Sequence, residues 1–377
     1  MRVAYPMRVD AFEKPGGDLL QVLKYIDAGK RIGAERRPRF EGTIITDLRV
    51  DLSPFDLIHL TNIDRPVDTY SSFLAAKAAR KPIVLSPIHH SYSEITQYER
   101  IGRDGIVGKI SGFLGFTLLE YLRSGVRSTR YSQLLLPLLR VKLEGMRRAQ
   151  RAILAGVDKI FVLTEKEKSD ILLDFSETSD DRFLLLRNGL EVPMPEIENA
   201  VSRDIDVCMV GRVEARKNQI VVLETLKRLG ISGVFVGAEN KNHKSYCQKF
   251  RSMIADSGST YVGNVPHEEA LRIMRKAWVH VSASWFEVSS LVDLEAYSSG
   301  CGVVASGFGG TREILGDKAV YVSPASGWSI EDGITTMLRR VQQREDRFEL
   351  QSKVEPIAES WSQIGDRLAE IYVQLTE

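Results

Sequence analysis

This sequence predicts a two-domain α/β fold in which each domain is built on a doubly wound parallel sheet, and three observations carry the prediction. Short β-branched runs alternate with amphipathic segments, the pattern of βαβ units. The runs are apolar on both faces, as strands covered by helices on each side must be: residues 82–86 read PIVLS, 159–164 KIFVLT and 301–305 CGVVA. Finally, 377 residues, 43% of them hydrophobic, suffice for two ordinary cores. A turn at Asn188-Gly189 and a proline-bearing linker over 193–198 separate them. The boundaries follow as 1–190 and 191–360.

Composition narrows the function classes. A net charge of +1 implies no bulk affinity for nucleic acid. The cysteines Cys208, Cys247 and Cys301 lack metal-type spacing. Cys208 and Cys301 fall in core strands, where thiols are inert, and such usage suits a reducing cytosol. The N-terminus opens on a strand without a signal-peptide core. No apolar run approaches the ~20 residues that cross a bilayer.

In the first half, residues 3–5 form a strand. The loop 14–18 (KPGGD) leads into a helix with Leu19, Leu20, Val22, Leu23 and Ile26 on its apolar face. Gly16 and Gly17 let backbone approach a ligand closely, although a plain turn carries the same signature. Strands follow over 42–45 and 57–60, a helix over 70–80, and the strand 82–86. Ligands of doubly wound sheets bind beyond the carboxyl ends of strands. His89 and His90 stand at such an end, either as ligand contacts or as ordinary loop residues. Residues 98–151 are long and poor in strand signals. Between 120 and 151 they carry Arg123, Arg127, Arg130, Arg140, Lys142, Arg147, Arg148 and Arg151 against Glu120 and Glu144 alone. Apolar clusters interleave: Phe113, Leu114, Phe116, Leu118 and Leu119, then residues 134–136 with Leu138 and Leu139. One reading is a cationic amphipathic surface on an anionic membrane, through residues 110–151. The other is an apolar face packed on the sheet beneath solvated arginines. The strand 159–164, a helix over 165–173 with acids in its first turn and a strand over 183–186 complete the domain.

In the second half, residues 206–211 (DVCMVG) form a first strand ending at Gly211. Arg212, Arg216 and Lys217 follow, before a helix over 219–229. Cations at a strand end can clamp a diphosphate, arginine in bidentate fashion, or can be solvated loop charges. Arg216 is expected to face solvent. Strands over 234–237 and 260–265 alternate with helices over 246–255 and 268–276. Asp204-Ile205-Asp206 mimics a metal-binding Asp-x-Asp, but it begins a strand instead of ending one, so no metal is expected.

The stretch 282–313 reads strand end, turn, helix, strand and glycine loop. Val279, Val281 and Ala283 close a buried strand. Ser289 and Ser290 can cap a helix starting near Leu291 and stopping near Gly300. Glu287 lies in the turn, and Glu295 about one turn inside the helix. The free N–H groups of Ser290, Leu291 and Val292 form an anion site that the helix dipole favours. A nucleotide sugar needs this pairing, with phosphates on the helix end and hydroxyls on the carboxylates.

Glu287, Glu295-Ala296, Ser298-Ser299-Gly300, Val303-Val304-Ala305, Gly309-Gly310 and Glu313 stand in one register. In this register the stretch resembles the retaining glycosyltransferases of family 4, of the kind found in bacterial polysaccharide and glycolipid synthesis. Their signature is Glu, seven residues and Glu. The resemblance covers residues about 180–377 strongly and the first half weakly. It implies the GT-B fold, two Rossmann-like domains across a cleft, with the last helix, 361–377, returning to the first domain and Trp361 as its packing anchor. It further implies that Arg212 and Lys217, in the family's Gly-Arg and Lys-Asn pattern, neutralise the leaving diphosphate. Gly16 and Gly17 would face that diphosphate, while Gly263, Asn264 and Val265 border the base. Glu295 would hold ribose hydroxyls, Glu287 the transferring sugar, and His89 and His90 the acceptor side. The implied reaction is transfer from an NDP-sugar to a glycan or lipid-linked acceptor, with no metal or other cofactor, on the cytoplasmic side. One departure is Ser289-Ser290, where the family has Phe-Gly or a similar glycine pair. It favours the alternative of an inactive nucleotide-binding or assembly protein. An NDP-sugar epimerase would share the fold. A phosphorylase lacks support, since no cofactor-lysine motif stands out.

Overall fold

The structure, a computed structural model, describes residues 1–31, 40–103, 105–176, 178–191, 203–343 and 357–377. The expected linker over 193–198 lies outside them, as do the side chains of residues 105–116, including Phe113, Leu114 and Phe116. The chain divides into two compact units. One comprises Met1–Tyr92, Leu114–Gly189 and Ala358–Glu377; the other comprises Ser93–Phe113 and Leu190–Ile357. Residues 93–113, placed in the first domain by sequence, thus cluster with the second.

The first half runs β1 (Arg2–Pro6), α1 (Gly17–Arg31), β2 (Glu41–Ile45), β3 (Leu57–Thr61), α2 (Pro66–Ala78) and β4 (Ile83–Ser86). It continues with α3 (Tyr92–Gln97), α4 (Gly105–Arg130), α5 (Leu135–Glu144), α6 (Met146–Gly156), β5 (Lys159–Val162), α7 (Glu165–Asp174) and β6 (Phe183–Leu185). Its sheet is parallel throughout, in the order β2-β1-β3-β4-β5-β6. In α1 the buried face is Leu19, Val22, Tyr25 and Ile26; Leu20 and Leu23, expected on it, are exposed. At 100° per residue they lie a quarter turn or more round the helix, beyond the stripe the sheet can cover. Helix α2 begins four residues before its expected start, with Pro66 in the first turn, where its missing N–H costs nothing. Thr164 caps α7 by accepting from the Glu167 amide at 3.0 Å.

The C-terminal helix, Trp361–Thr376, opens on a capping box of Ser360 and Gln363. It buries Trp361, Ile364, Leu368 and Tyr372 and packs on α1 within the first unit, the return that the resemblance implies. Trp361 meets the Tyr25 ring edge-on at 6.1 Å. A side chain at Gly189 would strike the Trp361 backbone, so Asn188-Gly189 closes the first unit against that helix.

The second unit runs β7 (Ile205–Val210), α8 (Gln219–Leu229), β8 (Gly233–Val236), α9 (Lys244–Ala255), β9 (Thr260–Gly263), α10 (His267–Lys276) and β10 (Ala277–Val281). Then come α11 (Leu291–Ser298), β11 (Gly302–Ser306), α12 (Thr311–Leu315), β12 (Ala319–Val322) and α13 (Gly327–Gln342). The order β12-β11-β10-β7-β8-β9, again parallel, is the dinucleotide-fold arrangement. One core, with Val222, Phe250, Ile334 and Met337, fills one face of the sheet; a second, with Leu271, Met274, Leu294 and Leu315, fills the other. Glu313, expected in a glycine loop, lies in α12. The thiols of Cys208, Cys247 and Cys301 are all buried.

Candidate functional site

Strand order reverses between β7 and β10, which are hydrogen-bonded neighbours although two strands separate them in sequence. Their following loops diverge to opposite faces of the sheet and leave a crevice at the carboxyl ends, where doubly wound sheets take ligands. Glu287, from the loop after β10, meets Lys217, from the loop after β7, in a short ion pair. Arg216, expected in solvent, is instead enclosed by the site. Its guanidinium donates to Glu287 Oε1 at 3.2 Å and to the Phe286 carbonyl at 3.1 Å, and pairs with Glu214 at 3.1 Å. Burial alone would lower the Arg216 pKa, but Glu287 and Glu214 drive it upward. Burial would likewise raise Glu214, yet Arg216, Asn240, Arg212 and Lys217 bring it below the usual carboxylate range. Arg212 thus acts on the same charge group.

Glycines and one asparagine let these loops close in. Gly211 and Gly237 follow β7 and β8, and Gly263 ends β9; a Cβ on Gly237 (φ 142°) would lie 2.1 Å from the Gly211 carbonyl. Asn218 sits at φ 68°, a left-handed conformation that asparagine tolerates, and its side chain donates to the Pro324 carbonyl at 2.9 Å. The position after Lys217 therefore asks for Gly or Asn. A Cβ at Gly309 (φ 87°) would stand 2.0 Å from the Glu287 carbonyl, so only glycine lets the 307–310 loop close on the 285–288 turn.

Helix α11 presents its N-terminus at the same strand ends. Ser290 is the N-cap and accepts from the Asp293 amide at 3.4 Å, while Leu291 and Val292 occupy the first turn. The Ser289 hydroxyl is buried without a hydrogen-bond partner. One turn along, Glu295 Oε1 bonds His267 Nε2 at 2.9 Å; no local pattern in the sequence links residues so far apart. Asn264 is exposed and Val265 packs partly against the core beneath β7. From residues 93–103, Tyr98 packs on Trp285 and Phe286, and Glu94 accepts from the Gly309 amide at 3.3 Å. These contacts, Arg216 and His267 are what the sequence analysis missed.

In the first unit, Gly16 and Gly17 follow β1. Gly16 leans on the Asp18 carboxylate that Arg8 grips at 2.7 Å, whereas a Cβ at Gly17 would meet nothing within 4 Å. His89 is fully enclosed. Its Nδ1 and Nε2 bond the carboxylates of Asp64 and Asp174, at 2.7 and 2.9 Å, so both ring nitrogens are committed to structure and leave none for an acceptor. Burial alone would lower its pKa; the two carboxylates push it up to about 10. Beneath it Glu167 accepts from the His89 and Leu163 amides, and burial pushes its pKa up to about 7. His90 remains part-exposed, with Nδ1 3.1 Å from Asp64.

Known proteins resemble this chain in sequence and in fold. Residues 194–353 match the family Glycosyl transferases group 1. A stretch of 186 residues is 24% identical to the poly(glycerol-phosphate) alpha-glucosyltransferase of Bacillus subtilis (strain 168), covering 47% of this chain and 26% of that protein. The chain therefore spans about a quarter of the length of that relative. Among solved structures, HepE of Anabaena in complex with UDP superposes with a TM-score of 0.69 at 14% identity, over 99% of this chain and 100% of the other. Sucrose-phosphate synthase of Thermosynechococcus elongatus gives 0.67 at 14%, over 100% and 99%. At such identities the likeness carries the fold alone, which is GT-B.

The His89 cluster makes alkaline stability a direct readout. His89 holds its proton more tightly folded than unfolded, so its contribution is complete below 6.5 and is lost as pH rises through about 10. Glu167, raised to about 7, acts in the same sense at lower pH. The thermal midpoint should fall between pH 7.5 and 10 by the equivalent of a few kcal/mol. His89→Gln should lower stability at neutral pH and flatten that arm. A wild-type profile flat to pH 10 would rule out the charged-histidine assignment.

Proposed function

We propose that this chain is a retaining glycosyltransferase of family 4. It moves a sugar from an NDP-sugar to a glycan or lipid-linked acceptor, without a metal, in cell-surface polysaccharide or glycolipid synthesis on the cytoplasmic side. The observation that carries the reading is the meeting of Glu287 with Lys217 at the β7/β10 crevice, beside the N-terminus of α11. That arrangement falls within the segment matched by the glycosyltransferase family. The Anabaena neighbour crystallised with UDP, and with UDP and glucose, supports a nucleotide-sugar donor.

In this reading the amides of Leu291 and Val292, with Arg212 and Lys217, stabilise charge developing on the leaving diphosphate. Glu295 holds the ribose hydroxyls and Glu287 those of the transferring sugar. Gly211, Gly263, Asn264 and Val265 line the nucleotide; Ser289 offers its unpartnered hydroxyl. The anomeric carbon–phosphate oxygen bond breaks while the acceptor oxygen bonds to the same face of that carbon. The acceptor proton passes to the departing phosphate oxygen. Ser289-Ser290 favours a second reading, a nucleotide-binding protein without turnover; yet Ser290 serves as the helix cap, a role compatible with an intact site.

We read the acceptor side as facing a membrane surface, and the outer helices of the first unit support that reading. Among the described residues no helix is long and apolar enough to cross one. On α4, Leu118, Leu122 and Val126 are exposed at spacings of four; on α5, Leu135, Leu136, Leu139 and Leu143 are exposed along one stripe. Tyr121 donates to the Val141 carbonyl at 3.2 Å and ties the two helices together between those rows. The exposed cations include Arg140, Lys142 and Arg148. Arg127 and Arg147 do not belong to this surface: Arg127 is buried on Asp68 at 2.6 Å, and Arg147 stacks over Tyr92 at 4.0 Å. An interfacial helix pair with leucines in the acyl boundary and cations at anionic headgroups fits this face.

Calorimetry with UDP, GDP, ADP, CDP and dTDP in EDTA should find one nucleotide bound in the micromolar range. Glu295→Ala should weaken it by about tenfold or more. Arg212→Ala with Lys217→Ala should cut turnover by roughly a hundredfold. Binding without turnover on any acceptor would favour the inactive reading; no binding from folded protein would sink the donor site.

Cosedimentation with phosphatidylglycerol vesicles should be strong at low salt and fall as salt rises. Leu136→Asp with Leu143→Asp should abolish it. Vesicle binding that is absent, or equal in the double variant, would leave that face without a lipid role.

A further inference from the structure

We infer that Arg216 is a positioning residue of this site: it is the standing counter-charge of Glu287, and by holding that carboxylate it releases Lys217 to the donor diphosphate. The inference rests on the donor-site reading above and deepens it. Glu287 Oε1 accepts from two cations, Arg216 and Lys217, that are held very differently. Arg216 is bolted in place. Its Nη1 is shared between Glu287 and the Phe286 carbonyl, at 3.2 and 3.1 Å, and its Nε and Nη2 lie 3.2 and 3.1 Å from Glu214. Its guanidinium lies 5.2 Å from the Phe286 ring centroid. Its carbonyl accepts from the Trp285 amide at 2.9 Å, so backbone and side chain both fasten the loop after β7 to the loop after β10. Glu214 is fixed in turn by the Asn240 amide group at 2.6 Å.

Lys217 is a point charge on a four-carbon stem, with no such frame at its head. The two cations therefore divide the work. A diphosphate arriving beside Glu287 brings like charge to a carboxylate, and low-dielectric surroundings make that repulsion costly. If Lys217 turned to the phosphate and nothing stayed behind, Glu287 would stand uncompensated next to the incoming anion. With Arg216 locked on Glu287, the ammonium can change partners while the carboxylate keeps both its charge balance and its direction. The planar fork suits this post because it spans Glu214, the Phe286 carbonyl and Glu287 at once, which an ammonium cannot do.

The test is a double-mutant cycle read by calorimetry with the nucleoside diphosphate that the wild type binds. Arg216→Met should weaken binding by about tenfold, because Lys217 is then retained by Glu287. In a Glu287→Gln background the same substitution should change affinity by less than about twofold, since the carboxylate that retains Lys217 is gone. Should Arg216→Met fail to fold, Arg216→Lys replaces it in the cycle, with a smaller loss that also vanishes beside Glu287→Gln. Melting curves confirm folding for each variant. A purely structural role would give the same loss in both backgrounds, and that outcome overturns the inference, as does undiminished binding by Arg216→Met. A folded wild type that binds none of UDP, GDP, ADP, CDP and dTDP overturns the donor site and this inference together.

Discussion

The second unit depends on one constraint, the reversal of strand order between β7 and β10. All its strands are parallel, so every strand-to-helix loop leaves from the same edge. At the reversal, successive crossovers run to opposite faces, and no loop closes the gap. Whatever this protein binds there must be recognised by the residues the two flanking loops carry. Those are Gly211 to Lys217 on one side and Trp285 to Ser290 on the other. The charges that meet in the gap, buried Glu214 and part-buried Arg216, Lys217 and Glu287, would be costly there unpaired.

Close approach of backbone makes that meeting possible. Gly237 must lie against the Gly211 carbonyl, and Gly309 against the Glu287 carbonyl, at separations no Cβ permits. The glycine loop after β11 therefore acts first as a support for the Glu287 turn. Tyr98 braces the same turn through Phe286, and Glu94 holds the glycine loop through the Gly309 amide, both from a segment far earlier in the chain. The site is thus held from several sides, as a charged group must be if its direction is to survive thermal motion.

The first unit spends its buried charge differently. His89 bridges Asp64 and Asp174 with both ring nitrogens, and Glu167 and His90 close the cluster. A histidine so committed is a cross-link between the loops after β3 and β4 and the end of α7, with no lone pair left for chemistry. On the outer helices of this unit the leucine rows of α4 and α5 stay uncovered, because their partners in the core are the residues between them, Leu119, Leu134, Leu138 and Val141.

The sequence by itself determined the elements and which residues are candidates for the site. Strands such as 159–164 are apolar on both faces and can only be central, and the helix 219–229 is bounded by Asn218 and Gly230, both of which adopt left-handed backbone. The register of Glu287, Glu295 and the glycine loop was legible because strand, cap and turn chemistry act over a few residues. Tertiary structure alone decided the rest. Nothing local says that Arg216 turns inward to Glu287, that His267 finds Glu295, or that His89 is caught between two aspartates, since those partners lie 71, 28, 25 and 85 residues away. Leu20 and Leu23 look like core until the sheet chooses which face of α1 to cover. The physical reason is range: propensity and capping are written in neighbouring residues, whereas charge pairing and burial depend on which strand ends the topology brings together.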